Sequence, residues 1–198
     1  MTVVLRFDDR RAPRSLRDLP LVDVAAPADL DPVISSASRV LVLGGDAELA
    51  MVLSRLLRQD LLDVEVAPAP NARLARRARD GESKRVPLIR DETGRALVGT
   101  AFWLPPDGSA LIEGEAIVDD TVLFDGHARS VRVQATGQLP GLRAQVVSGR
   151  LGSPRWVTGR AAQLGTTGAI VVRDGKPVAN PVKRSTFYRN TRGWLRVS

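Results

Sequence analysis

The chain has no cysteine, which excludes disulfide frameworks and thiolate metal sites. It has one histidine, His127, so a multi-histidine metal centre or a Ser-His-Asp hydrolase would have to be built around a single imidazole. Aromatic residues are only 4% of the chain, and no RNA-module signature is present. No uncharged apolar run approaches the roughly 20 residues that a membrane-spanning helix needs. The apolar window at residues 1–7 turns charged before it could form a secretory h-region, so the expected location is the cytoplasm. Lysine is scarce as well, 3 residues against 26 arginines, a bias that genomic base composition alone would also produce.

With 198 residues, 43% of them hydrophobic, the chain can bury one large core or two small ones. The net charge of +7 is unevenly placed. Residues 127–198 carry 13 Lys and Arg against one acid, Asp174, whereas residues 101–126 carry six acids and no Lys or Arg. Such asymmetry fits an anionic partner or attraction between parts of the chain, and equally a solvated basic face.

The first part alternates strands and helices. Strands are expected at 3–7, 21–25, 39–43 and 62–67, with an Arg- and Pro-rich loop up to Pro20 and a short helix at 29–37. The clearest helix follows Gly44-Gly45. There Leu49, Val52, Leu53, Leu56 and Leu57 form one continuous stripe, with Asp46 placed to cap it and Glu48 in its first turn. A basic helix is expected at 71–79. Strand–helix–strand at this spacing argues for a parallel sheet with crossover helices. After about residue 84 the pattern changes to strand-length runs at 86–90, 96–103, 110–118, 128–136, 143–148 and 169–173. Turn signals such as Asp91-Glu92-Thr93-Gly94, Pro105-Pro106-Asp107-Gly108 and Asp174-Gly175 separate them, as in an antiparallel sandwich. The expected architecture is a small N-terminal parallel-sheet α/β domain, residues 1–83, followed by a C-terminal antiparallel β-sandwich, residues 84–198.

The run Val40-Leu41-Val42-Leu43-Gly44-Gly45-Asp46-Ala47-Glu48-Leu49 sets two glycines between a buried strand and a helix N-terminus. Backbone N–H groups and the helix dipole can hold phosphate there, although glycine also serves such turns for packing alone. The run resembles the Gly-Gly-Asp-Gly-Thr phosphate-binding motif of the diacylglycerol kinase and NAD kinase superfamily. Residues 64–76, with Pro68-Ala69-Pro70-Asn71, occupy the position of that family's second, Gly-Thr-Gly-Asn-type loop. The β-rich remainder resembles its C-terminal sandwich, with 172–177 and 194–197 as the closing segments. The resemblance implies a nucleotide- or phosphate-binding role for Gly44, Gly45, Asp46 and Asn71, with ATP and Mg²⁺ as cofactors.

The departures from the motif point the other way. The next glycine of the family is Ala47 here, its threonine is Glu48, and the second loop has lost its glycines. A carboxylate at position 48 about 5 Å from a bound phosphate, at an effective dielectric of about 20, repels it by roughly 3 kcal/mol, about a hundredfold in affinity. The segment before Arg39 is also compressed. The expectation is therefore a shortened, non-catalytic or weakly active relative that binds a lipid or phosphorylated small molecule between its two domains. The alternatives are an active ATP-dependent lipid kinase, in which Mg²⁺ offsets Glu48, and a basic module for nucleic acid or an anionic membrane surface. Nucleic acid is the less favoured partner, peripheral membrane association stays open, and so does a homodimer.

Asp119 and Asp120, with Asp125, are the candidates for a carboxylate near an acceptor hydroxyl or for hydrated Mg²⁺, and equally for a plain turn. No metal ligand set is identifiable. His127 reads as a rim residue or a general base. The tail 183–194 interleaves bases and aromatics, which suits either an anionic partner or a closing strand pair.

Overall fold

Val40, Leu41 and Val42 are buried on both faces of a strand, the signature of a parallel sheet covered from two sides. In the computed structural model, described for residues 1–147 and 155–198, the chain forms two compact units. The first comprises residues 1–86 and 192–198, the second residues 87–191.

The first unit contains β1 (Thr2–Arg6), β2 (Leu21–Asp23), β3 (Arg39–Leu43), β4 (Glu65–Pro68), β5 (Ser83–Val86), and the last strand of the chain, Trp194–Val197. Their order in the sheet is β2, β1, β3, β4, the last strand, β5. All neighbours are parallel except β5, which runs antiparallel to the last strand. The helices are α1 (Asp31–Ile34), α2 (Asp46–Arg58) and α3 (Ala72–Asp80). The leucine stripe of α2 is buried as its spacing requires: Val52, Leu53 and Leu56 are wholly inaccessible. On one side of the sheet Ala75 and Ala78 of α3 and Leu16 pack against Val4, Leu41, Leu43, Ala67 and Val197.

Three local expectations are corrected. The helix at 29–37 is a 3-10 turn, Pro27–Leu30, followed by the single turn of α1. Pro32, inside the expected span, lacks the N–H that a helix continuous through it would use. The helix cap at Asp46 falls instead to Gly45, with Asp46 the first helical residue and exposed. The segment 194–197, expected to close the sandwich, joins the parallel sheet between β4 and β5, and Val197 lies in that core. The boundary accordingly lies at Pro87, which separates β5 from the next strand and splits the run expected at 86–90.

The second unit is antiparallel. Its strands are β6 (Ile89–Asp91), β7 (Ala96–Leu97), β8 (Thr100–Leu104), β9 (Ile112–Val118), β10 (Thr121–Ala128), β11 (Val131–Ala135), β12 (Leu142–Val146), β13 (Val157–Gly159), β14 (Ala161–Arg173), β15 (Lys176–Pro177) and β16 (Val182–Arg189). The 13-residue β14 belongs to two layers. Its first part pairs with β9 and β16, and its second part, after a register shift beyond Gly165, pairs with β8 and β15. Between the layers Trp103 and Phe187 stack with centroids 6.0 Å apart. The Trp103 indole N–H donates to Ser185 Oγ at 2.9 Å, so the one polar atom of this large buried ring is satisfied. The expected end of one strand at Ser148 lies outside the described residues.

Candidate functional site

In an open α/β sheet, ligands bind beyond the C-terminal ends of the parallel strands, where the strand order reverses. Here the reversal lies between β1 and β3, since β2 flanks β1 on one side and β3 and β4 extend the sheet on the other. Three segments lead out of that edge: the 7–20 loop after β1, the Gly44-Gly45 turn after β3, and residues 69–71 after β4.

The diglycine turn is closed by its own helix. Glu48, three residues into α2, folds back so that the Gly45 N–H donates to its Oε2 at 2.8 Å. This is the carboxylate half of a capping box. Glu48 is only 9% exposed. Gly44 is explained by the same side chain, since a Cβ there would stand 2.6 Å from the Glu48 Cβ; one on Gly45 would stand 3.3 Å from Oε2, tight but relieved by a small shift. The small residues therefore admit the protein's own carboxylate, in the place where the resemblance implies a phosphate. Asp46 points into solvent and makes no cap.

Asn71 is the N-cap of α3, its Oδ1 accepting the Leu74 N–H at 3.0 Å. It borders a cavity of about 360 Å³ that is also lined by Arg10, Arg11, Arg14, Arg17 and Leu43. Sequence reasoning passed over these arginines as loop. Four of one sign within eight residues were the available signal, diluted by the acidic balance of residues 1–126. The loop is held in place. Leu16 is completely buried, and the Arg79 guanidinium of α3 donates to the Ser15 carbonyl at 2.8 Å and to both oxygens of Asp18 at 2.7 and 2.8 Å. That bidentate contact holds the Asp18 carboxyl below the usual carboxylate range.

Asp119 and Asp120 form the turn between β9 and β10. Asp119 has φ 51, and its carboxylate accepts the Arg160 and Ala161 N–H groups at about 3.0 and 2.9 Å, latching the start of β14. Asp120 is exposed, and Asp125 and His127 lie exposed further along β10. Among the described residues no three His, Cys, Asp or Glu side chains come together as a metal cage. The tail aromatics are occupied: Phe187 is in the core, Trp194 is buried, and Tyr188 lies under the Arg90 guanidinium at 4.5 Å. No described helix is long and apolar enough to cross a membrane.

No family model matches the chain, and no curated protein matches it in sequence. Solved structures do. Against an NAD kinase from Archaeoglobus fulgidus in complex with ATP, the chain is 15% identical with a TM-score of 0.67, over 100% of this chain and 94% of that one. Against a diacylglycerol kinase from Bacillus anthracis strain Sterne, identity is 10% and the TM-score 0.73, over 99% and 95%. Against a yeast NADH kinase complexed with NADH, identity is 9% and the TM-score 0.64, over 100% and 83%. At these identities the likeness establishes the fold: the chain has the two-part architecture of NAD kinases and diacylglycerol kinases.

Proposed function

We propose that this chain, built on the fold of NAD kinases and diacylglycerol kinases, binds a lipid or a phosphorylated small molecule at the strand-end edge of its first unit without transferring phosphate. The observation that supports this reading is the Gly45 N–H bonded to Glu48. In a kinase of this fold the diglycine turn would offer donors to the nucleotide. Here the donor is already spent, and its occupant carries the same sign of charge as a phosphate. A triphosphate would have to displace a buried carboxylate that helix α2 stabilises at its positive end. The residues present do not fit ATP at this turn, so no step of a transfer is derived through it. Mg²⁺ would find Asp46 exposed nearby, but among the described residues no group of three or more His, Cys, Asp or Glu side chains forms a cage there.

The test pairs binding with turnover. Thermal shift with a panel of phosphorylated small molecules and anionic lipid vesicles is run beside a labelled-phosphate assay with ATP, Mg²⁺ and diacylglycerol vesicles. Stabilisation by a phosphorylated compound or a lipid, with no label in the lipid, is the expected outcome. Transfer of label at a turnover typical of kinases would refute the non-catalytic reading and favour the active lipid kinase, with Glu48 swung out of the turn.

A further inference from the structure

We infer that the cavity beneath the 10–17 loop is the seat of a small molecule carrying two phosphate groups, gripped by Arg10, Arg11, Arg14 and Arg17 and not by the diglycine turn. This rests on the proposed binding of a phosphorylated ligand by the first unit. The cavity of about 360 Å³ lies at the small end of the roughly 300–1,000 Å³ usual for ligand pockets. Four arginines line it and no Asp or Glu does.

Several other arginines of the same unit find acids. Arg6 pairs with Asp23, Arg39 with Glu65, Arg55 with Asp31, and Arg85 with Asp63. Among the described residues no ion pair involves the four cavity arginines. All four are exposed, and together they concentrate positive charge at the cavity. A planar guanidinium fork matches phosphate oxygens two at a time, which makes arginine the apt residue. Each phosphate monoester carries about −1.5 to −2 at pH 7, so two such groups balance the four charges.

The loop is also built in advance. Asp8 and Asp9, with φ 54 and 50, take a conformation that residues other than glycine seldom adopt, and they turn the chain immediately before Arg10. Leu16 anchors the loop in the core, and Arg79 clamps its far end. Apart from Asn71, the remaining lining, which includes Leu43, Pro13 and Pro70, is apolar and can face the carbon frame of the ligand.

The experiment is isothermal titration of the full chain with inorganic phosphate, inorganic pyrophosphate and ADP at two salt concentrations. Pyrophosphate is expected to bind at least tenfold more tightly than phosphate and to weaken with salt. Arg11→Gln and Arg14→Gln, both on exposed side chains, should each weaken it by roughly tenfold, as loss of one charge near a dianion implies, with the melting temperature unchanged. ADP binding more tightly than pyrophosphate would identify the ligand as a nucleoside diphosphate, and equal binding would identify another diphosphate; both support the site. Pyrophosphate affinity unchanged in the arginine variants would overturn the inference. ATP stabilisation that survives those variants but is lost in Gly45→Asp would also overturn it, while leaving phosphorylated-ligand binding intact. If no phosphorylated probe binds the wild-type chain, the inference and that binding fall together.

Discussion

Replacing Glu48 by alanine should lower the stability of the protein and raise its affinity for phosphate at the same time. The carboxylate accepts the Gly45 N–H at 2.8 Å from a nearly buried position in the first turn of α2. Losing a helix-cap bond costs about 1 kcal/mol, and losing a negative charge at a helix N-terminus costs a further 0.3–1 kcal/mol or so. At about 4–8 °C per kcal/mol for a domain of roughly 60–100 residues, the melting temperature of the first unit should fall by roughly 5–16 °C. The same change removes about 3 kcal/mol of repulsion against a phosphate seated on the turn and frees its donor. ATP with Mg²⁺, which should protect wild type little at this turn, should then stabilise the variant with an apparent affinity up to about a hundredfold higher. Differential scanning fluorimetry across an ATP titration reads both effects on one sample. A residue that merely supports the helix would give the loss without the gain. A variant that melts early and gains no response to ATP would refute the claim that Glu48 occupies a phosphate seat.

Other expectations rest on single contacts. Asp91, 1% exposed, accepts from the Thr93 hydroxyl and the Arg95 N–H and pairs with Arg173, so Asp91→Leu should destabilise the second unit by about 3–5 kcal/mol by stranding a half-buried guanidinium; an unchanged urea midpoint would contradict this. Asp119→Ala removes the latch on the Arg160 and Ala161 N–H groups and should cost about 1–2 kcal/mol while leaving ligand binding by the first unit unaltered. A loss of phosphate binding in that variant would return Asp119 to the list of functional residues. Asp18, Asp31 and Asp63 are held below the usual carboxylate range, chiefly by hydrogen bonds from Arg79, Arg55 and Arg192, and Glu65 by those from Ser83 and Arg39. Because the folded values are the lower ones, this stabilisation is complete above the unfolded values of about 4 and is lost as pH falls through the folded ones. The melting temperature should thus be level from about pH 5 to 8 and drop below about pH 4; a decline beginning near pH 6 would implicate His127 instead.

The strand, turn and helix over residues 39–58 were legible because every determinant is local: a run buried on both faces, two glycines, and a stripe at helical spacing. The antiparallel character of the second half was legible from its turn residues. The home of Trp194–Val197 was not, because a four-residue apolar strand carries no mark of which sheet it will join, and its neighbour β4 lies far back in sequence. The first half of β14 was hidden by Gly165 and Gly168, and β10 by Asp125-Gly126, a dipeptide that usually marks a turn and here continues a strand with φ 100 at Gly126. At the site, the charge on Glu48 was visible in sequence as an obstacle to phosphate. Its bond to Gly45 was disguised because the capping residue is a glycine and not the serine or threonine of the usual box. Asp46 has the residue type of a cap, but the helix begins one residue earlier than a cap there requires. The arginine loop is inconspicuous in sequence because acids outnumber bases over residues 1–126, and the cavity beside the cluster forms only in the fold.

The most direct test of the account follows the Gly45 amide resonance by NMR while ATP and Mg²⁺ are added to wild type and to Glu48→Ala. With the donor held by Glu48, the wild-type signal should stay in place through millimolar nucleotide, and the variant signal should move as phosphate takes up the vacated bond. A Gly45 signal that shifts in the wild-type protein at micromolar ATP would contradict the closed turn, and with it the proposal that this chain binds its ligand without phosphoryl transfer.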